Sequence, residues 1–246
     1  MKILRNIPHV HKFVSCLKYL NDYRDAIEAA RASGDIETEK ENIRLATSTW
    51  GKGLSKTIKM DYQVEGYENI PDKGPVVFMA NHQGYFDVIV LCAVLDKFQM
   101  GFVAKDNLEK VPLYGPWINR IHSVLINRGN PREGLKAISR GVDNIKQGYS
   151  MIIFPEGTRS KSSNMGEFKP GAMKLATKPK VPIIPISLDG TYVGFEEKGY
   201  VRPCNVKIKI HKPIITEGLT RPEEKELNDK VYKIIFDGLQ EIRQDQ

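Results

Sequence analysis

The N-terminal part of the chain carries apolar residues at helical spacing. They recur every three or four positions over residues 3–17 and again over residues 43–57, as on the buried side of a helix. Gly34 suits the position after a helix C-terminus, and Asp35 suits the N-cap of the next helix. The pattern predicts a two-helix hairpin over residues 1–59. The two stripes are Ile3, Ile7, Val10, Val14, Leu17 and Ile43, Ala46, Trp50, Leu54, Thr57.

From residue 60 the periodicity changes, and short β-rich runs alternate with helical stretches. This alternation predicts an α/β domain over residues 60–246, with a mostly parallel sheet flanked by helices. In such sheets, chemistry collects beyond the carboxyl ends of the strands. The strand runs are DYQVEGY, GPVVFMAN, FQMGFVAK, SVLIN, YSMIIFPEG, VPIIPISLDG and NVKIKIHKP. The helical runs are YFDVIVLCAVLD, REGLKAISRGVDNIKQG, GAMKLATK and RPEEKELNDKVYKIIFDGLQEIRQ.

Composition and charge narrow the function. The 246 residues suit one large domain with an appendage. Three distant cysteines (Cys16, Cys92, Cys204) argue against a disulfide framework or a zinc site, so we expect a reducing compartment. The formal net charge of +7 favours an anionic partner: nucleic acid, an anionic membrane or a phosphorylated substrate. No apolar run reaches the roughly 20 residues of a membrane-spanning helix, so a membrane-bound form would lie on the surface.

The charges of the hairpin are segregated. Residues 1–20 and 42–59 contain basic residues and no acids. Folding at Gly34 brings these two basic ends together, a pattern typical of a helix pair on anionic lipid. A hairpin packed on its own domain, with a solvated charged face, explains the pattern equally well. The predicted membrane contacts are Lys12, Phe13, Lys18, Tyr19, Trp50, Lys52 and Lys56.

The run MANHQGYFDV ends a predicted strand and places His82 five residues before Asp87. Gly84 permits a tight turn, so the chain can fold back and bring the two side chains into contact. An aspartate on one imidazole nitrogen leaves the other nitrogen as a general base. The chain has no G-x-S-x-G motif. The pair therefore favours a substrate that brings its own hydroxyl, whereas a non-catalytic histidine at a helix start is the simpler alternative.

A second strand end carries Glu156, Gly157, Thr158 and Arg159, in the run MIIFPEGTRS. The glycine permits a sharp turn that exposes backbone amides, and the arginine suits bidentate binding of a phosphate. A surface turn with a solvated arginine is the simpler alternative here.

Together, NHQGYFD and FPEGTRS resemble the glycerolipid acyltransferases, specifically the bacterial 1-acyl-sn-glycerol-3-phosphate acyltransferases. GFVAKDNLEKVPLYG with VLINR, and VPIIPISLDG, are similar to two further blocks of that family, and FKPGAMKLA is similar to the stretch that usually follows the FPEGTRS block. The resemblance covers roughly residues 60–215, and four ordered blocks are highly specific. The chain departs from the family at Gly84, where serine is common, and at the IHS that precedes VLINR. The hairpin lies outside the resemblance.

The resemblance implies acyl transfer from acyl-CoA or acyl carrier protein to the sn-2 hydroxyl of 1-acyl-sn-glycerol-3-phosphate, giving phosphatidic acid. His82 would be the base and Asp87 its orienting partner. Lys105, Arg128 and Arg159 would hold the phosphate, and amides near Gly157 would stabilise the oxyanion. Thr158 would help to position the substrate, and Glu156 would orient Arg159 or contact the glycerol part. No metal or other cofactor is expected. The enzyme would be peripheral, on the cytoplasmic face of the cell membrane.

Other functional classes also fit parts of this sequence. A different acceptor, such as glycerol-3-phosphate or another lysolipid, would use the same machinery, and a lipid esterase would use His82 to activate water. The basic pI of about 9.1 also fits a nucleic-acid-binding module, but no recognition motif for nucleic acid is present, so no nucleic-acid partner is expected. A membrane scaffold without catalysis would leave both strand-end motifs unexplained.

Overall fold

The computed structural model describes residues 2–111, 114–127, 129 and 131–244, and the side chains of all of these except 2–5, 7–12, 18, 19 and 131. Helix α1 (Lys2–Ser33) and helix α2 (Ile36–Ile58) form the predicted hairpin. Gly34 has a φ of +75°, and the Asp35 side chain accepts a 3.1 Å hydrogen bond from the Thr38 amide. Both residues therefore have the terminal roles expected from the sequence.

The described part of the α/β region contains a seven-stranded sheet in the order β1-β7-β6-β2-β5-β3-β4. All neighbouring strands are parallel except the antiparallel pair β6 and β7. All seven predicted strands are present, and the prediction of a mostly parallel α/β sheet is confirmed. The strands are β1 (Met60–Glu65), β2 (Val77–Ala80), β3 (Met100–Lys105), β4 (Val124–Ile126), β5 (Ser150–Ile153), β6 (Ile183–Asp189) and β7 (Cys204–Ile210).

Helices cover both faces of the sheet. Four of them were predicted, whereas α4 and several one-turn 3₁₀ segments were not, because short segments leave little periodicity to detect. No helix in the described ranges is long and apolar enough to cross a membrane. The helices are α3 (Phe86–Val94), α4 (Gly115–Arg120), α5 (Pro131–Lys146), α6 (Lys174–Thr177) and α7 (Arg221–Gln244).

The apolar residues of β2 show how the core is divided. Phe78 and Ala80 belong to the cluster that contains α2 and α3, whereas Val77 and Met79 belong to the cluster under α5 and α7. Successive residues of a strand point to opposite faces. A strand covered on both faces is apolar throughout, which explains why this run shows no alternation.

The hairpin packs directly on the α/β region. Ile27, Ile43 and Leu54 are buried in the same cluster as sheet residues. A Cβ on Gly51 would lie 2.6 Å from the Ala93 backbone nitrogen, so α2 and α3 are in close backbone contact. Thr57 lies beside Cys16, with 3.9 Å between the hydroxyl and the sulfur, so the two basic ends are adjacent as predicted.

Trp50 corrects one of the predicted membrane contacts. Its side chain is only 5% exposed, because it lies on the apolar stripe of α2 that faces the core. Phe13 is half-buried and packs edge-on against Trp50, with 6.3 Å between ring centroids. Val14, next along α1, is exposed instead. The side chains of Lys12, Lys18 and Tyr19 lie outside the described residues.

Candidate active site

The loop between β2 and α3 brings the predicted pair together. His82 follows the end of β2, and Asp87 lies in the first turn of α3. The imidazole Nδ1 and the carboxylate Oδ2 are 2.6 Å apart. Within the described part of the chain, Nε2 of His82 makes no hydrogen bond, and the side chain is 12% exposed. The imidazole is thus held at one nitrogen while the other is available to a substrate.

Asp87 is fully buried and accepts four hydrogen bonds. Besides His82, the amides of Gln83 (2.7 Å) and Gly84 (2.9 Å) donate to Oδ2, and the Thr191 hydroxyl donates to Oδ1. Thr191 lies 104 positions further along the chain, after β6, so no local sequence signal connects it to Asp87.

The second strand end meets the first through Glu156. This carboxylate is 5% exposed and accepts from the backbone amides of His82 (2.6 Å) and Gly166 (2.9 Å). Burial raises the pKa of Glu156 despite these two hydrogen bonds. The imidazole also stacks on Phe154, with 4.0 Å between ring centroids. Glu156 therefore fixes the backbone that carries His82, and the described contacts of Arg159 do not include Glu156.

Gly157 occupies a turn, but its amide is not free. Its φ of +68° lies in the left-handed region, and its N–H donates to the Phe154 carbonyl at 3.0 Å. The Gly157 N–H is thus used within the turn, and stabilisation of an oxyanion by other amides near Gly157 stays a prediction. Thr158 is exposed, and the side chain of Lys169 lies over Gly157, an additional cation that sequence analysis did not identify.

Arg159 extends from the same turn towards α3. Its Nη1 donates to Glu196 Oε1 at 2.8 Å, and its guanidinium lies 3.6 Å from the ring centroid of Tyr85. Glu196 is buried, and burial raises the pKa of its carboxyl although the nearby Arg159 charge opposes the shift. A Cβ at position 84 would overlap the Glu196 carboxylate, so Gly84 leaves room for it.

The other two predicted phosphate ligands are Lys105 and Arg128. Lys105 is exposed at the carboxyl end of β3, on the same edge of the sheet as His82 and Glu156 because β2, β5 and β3 are parallel neighbours. The structure shows no ion pair between Lys105 and the described residues around Arg159. Arg128 lies outside the described residues.

A chain of buried and partly buried polar contacts joins this edge of the sheet to β6 and α7. The Gln83 amide donates to Asp189 at 2.7 Å, which also accepts from Arg243 at 2.7 Å. Asn81 exchanges two 2.8 Å hydrogen bonds with the backbone of Leu188. These contacts fix the loop that carries His82 against β6, which favours a preorganised site over a flexible one.

Comparison with known proteins identifies the class that this fold and site define. The Acyltransferase family model matches residues 61–189, so the chain belongs to the Acyltransferase family. It is 30% identical, over 74% of its length and 70% of the relative's, to the 1-acyl-sn-glycerol-3-phosphate acyltransferase of Pseudomonas aeruginosa. The chloroplastic enzyme LPAT1 of Arabidopsis thaliana is 35% identical over 61% of this chain, which spans 43% of that relative.

A solved structure matches the whole architecture. The 1-acyl-sn-glycerophosphate acyltransferase PlsC from Thermotoga maritima superposes with a TM-score of 0.75 at 25% identity. The match covers 99% of this chain and 98% of that one, and so includes the hairpin. The chain nevertheless spans less than half the length of its chloroplastic relatives. The predicted family is thus confirmed, while the activity of this chain is a separate question.

Proposed function

We propose that this protein transfers a fatty acyl group from an acyl thioester to the sn-2 hydroxyl of 1-acyl-sn-glycerol-3-phosphate, giving phosphatidic acid. The observation that carries the proposal is the His82–Asp87 pair, at 2.6 Å, with the second imidazole nitrogen unbonded among the described residues. The names of the Pseudomonas and Thermotoga relatives support the choice of acceptor.

The mechanism needs no protein nucleophile. In the described part of the chain, Asp87 alone is hydrogen-bonded to the imidazole of His82. Burial raises the pKa of the Cys92 thiol to about 12 and that of Cys204 to about 11, so neither is a reactive thiolate. The acceptor hydroxyl is therefore the natural nucleophile.

His82 Nε2 removes the proton from this hydroxyl as its oxygen attacks the thioester carbonyl. The new C–O bond forms a tetrahedral oxyanion, which collapses with cleavage of the C–S bond. The imidazolium returns its proton to the departing thiolate, so the base is regenerated. The Asp87 carboxylate stabilises the imidazolium between these two transfers.

Arg159 is the proposed ligand of the acceptor phosphate, with Lys105 as a second cation at the same edge of the sheet. A guanidinium presents parallel N–H groups that match phosphate oxygens. Acyl-CoA and acyl carrier protein are both acidic and both suit the net charge of +7. Identifying the donor is therefore part of the test.

An acceptor screen with both donors tests the assignment. Purified protein would be supplied with acyl-CoA or acyl carrier protein and with lysophosphatidic acid, glycerol-3-phosphate, another lysolipid or no acceptor, and products would be measured by mass spectrometry. We expect phosphatidic acid from lysophosphatidic acid. Faster acylation of another acceptor would reassign the substrate. Free fatty acid release that is independent of acceptor would identify an esterase.

We also propose that the hairpin holds the protein on the cytoplasmic face of an anionic membrane, with residues 1–59 as the membrane-associating part and 60–246 as the catalytic part. Each basic residue near such a surface contributes about 1 kcal/mol. Lys56 is exposed, whereas Lys52 is already paired with Asp96 at 2.6 Å. Of the predicted aromatic membrane contacts, Phe13 is half-buried, whereas Trp50 is buried.

Because the hairpin shares its core with the sheet, deleting it would also damage the fold, and charge variants are the better test. Lys56→Gln with Lys59→Gln should weaken co-sedimentation with anionic vesicles at low salt. The matched control is Lys225→Gln with Lys230→Gln, on exposed positions of α7 across the sheet. Equal losses for both pairs would mean that net charge, and not the hairpin, attracts the protein to the membrane.

A further inference from the structure

Glu196 holds the guanidinium of Arg159 in one place. This residue lies in the loop after β6, and its side chain is 3% exposed. Its Oε1 accepts both the Tyr85 amide, at 2.9 Å, and Arg159 Nη1, at 2.8 Å. The guanidinium also stacks on the Tyr85 ring. The Arg159 guanidinium is thus held by a hydrogen bond at Nη1 and by stacking of one face on Tyr85.

The loop that carries Glu196 is itself anchored. Asn6 of α1 donates to the Gly199 carbonyl at 3.2 Å and accepts from the Val201 amide at 3.0 Å. Phe195 packs edge-on against Tyr85, with 5.8 Å between ring centroids. The carboxylate therefore has a fixed position from which it can orient another side chain.

Gly84 makes room for this carboxylate. Its φ is not in the left-handed region, so backbone conformation does not require glycine there. A Cβ on Gly84 would instead overlap Glu196 Oε2, an oxygen that is buried and has no hydrogen-bond partner in the described part of the chain. Leaving a carboxylate oxygen unsatisfied is costly, whereas the other oxygen, Oε1, accepts from both Tyr85 and Arg159.

We propose that Glu196 is a positioning residue that orients Arg159 so that its unoccupied N–H groups meet the acceptor phosphate, and that Gly84 provides the space this carboxylate needs. The inference rests on the proposed function, in which Arg159 binds that phosphate. Of the guanidinium nitrogens of Arg159, only Nη1 donates a hydrogen bond to a described residue, which leaves Nε and Nη2 for a ligand.

Steady-state kinetics would test the role of Glu196. Glu196→Ala leaves the arginine unfixed, and we expect the KM for lysophosphatidic acid to rise about tenfold, which corresponds to about 1.4 kcal/mol. The KM for the acyl donor should stay within about twofold, because preorganisation affects only the ligand of the ordered side chain. Glu196→Gln keeps an acceptor oxygen at the same place and should restore the acceptor KM to near the original value.

Gly84 supplies the independent check. Gly84→Ala should raise the acceptor KM like Glu196→Ala, and the double variant should be no worse than Glu196→Ala, because the space is then empty. Additive losses, a rise in donor KM, or a Gln variant that behaves like Ala would each overturn the proposal.

Arg159→Ala separates this inference from the proposed function. A raised acceptor KM in Arg159→Ala, with no change in Glu196→Ala, would refute only the positioning role. An unchanged acceptor KM in Arg159→Ala would refute the phosphate assignment, and the positioning role with it.

Discussion

Asp87→Asn tests whether the charge behind His82 drives the chemistry. In the structure Oδ2 accepts three hydrogen bonds, from His82, Gln83 and Gly84, whereas Oδ1 accepts one, from Thr191. An asparagine can keep its carbonyl at the Oδ2 position. Its NH₂ group would then face the Thr191 hydroxyl, which can turn towards Gln83 Oε1, 3.3 Å away. The fold should therefore tolerate the substitution at a cost of no more than about 2 kcal/mol.

The rate of acyl transfer, in contrast, should fall sharply in Asp87→Asn. Loss of the anion removes the partner of the imidazolium, and we expect kcat to fall by about 10²–10⁴, the usual contribution of acid–base catalysis. Acyl transfer would be measured at saturating acceptor and donor, with circular dichroism and urea unfolding as fold controls. Thr191→Val is the milder comparison, since it removes one donor and leaves the charge. A folded Asp87→Asn protein with near-normal kcat would refute the assigned role of Asp87.

Three further predictions concern binding and stability. Arg159→Lys should raise the acceptor KM with little change in kcat, because an ammonium cannot present two parallel N–H groups; a change confined to the donor KM would reassign Arg159. Burial and the Lys209 charge lower the pKa of His211 from 6.5 to about 4. Between about pH 4 and pH 6.5 the unfolded chain therefore binds more protons at this histidine than the folded chain does. The stability contributed by neutral His211 is complete above about pH 6.5 and is lost as the pH falls towards 4. In urea unfolding, the free energy of unfolding should fall by about 2 kcal/mol less between pH 6.5 and pH 4 in His211→Gln than in the unaltered protein, allowing for partial exposure. An unchanged pH dependence would contradict the shift. Gly51→Val should cost about 1–3 kcal/mol or more in urea unfolding, because its Cβ meets the Ala93 backbone, whereas Gly171→Val, with open space around it, should cost far less.

The sequence predicted the parts of the fold that depend on local pattern. Seven short apolar runs gave seven strands, and the His82–Asp87 contact followed from one tight turn. Strand order and the antiparallel β6–β7 pair were not predictable, because they depend on the packing of distant segments. The same limit hid Thr191 and Glu196, which approach the site from more than 100 positions along the chain.

Trp50 shows how a local pattern can be misinterpreted. It belongs to the apolar stripe of α2 and also lies among basic residues, so the sequence supports both a core role and a membrane role. In the structure the stripe faces the sheet, and the ring is buried. Apolar periodicity reports which side of a helix packs, and here it was the better guide than the neighbouring charges.

The central claim is that His82 is the base for acyl transfer to lysophosphatidic acid, and the rate of phosphatidic acid formation by His82→Ala tests it most directly. The His82 side chain is 12% exposed and makes one hydrogen bond among the described residues, so its removal should leave the protein folded. Assayed beside the unaltered protein with the same donor, it should lose about 10²–10⁴ in kcat. Near-normal turnover by a folded His82→Ala protein would contradict the account.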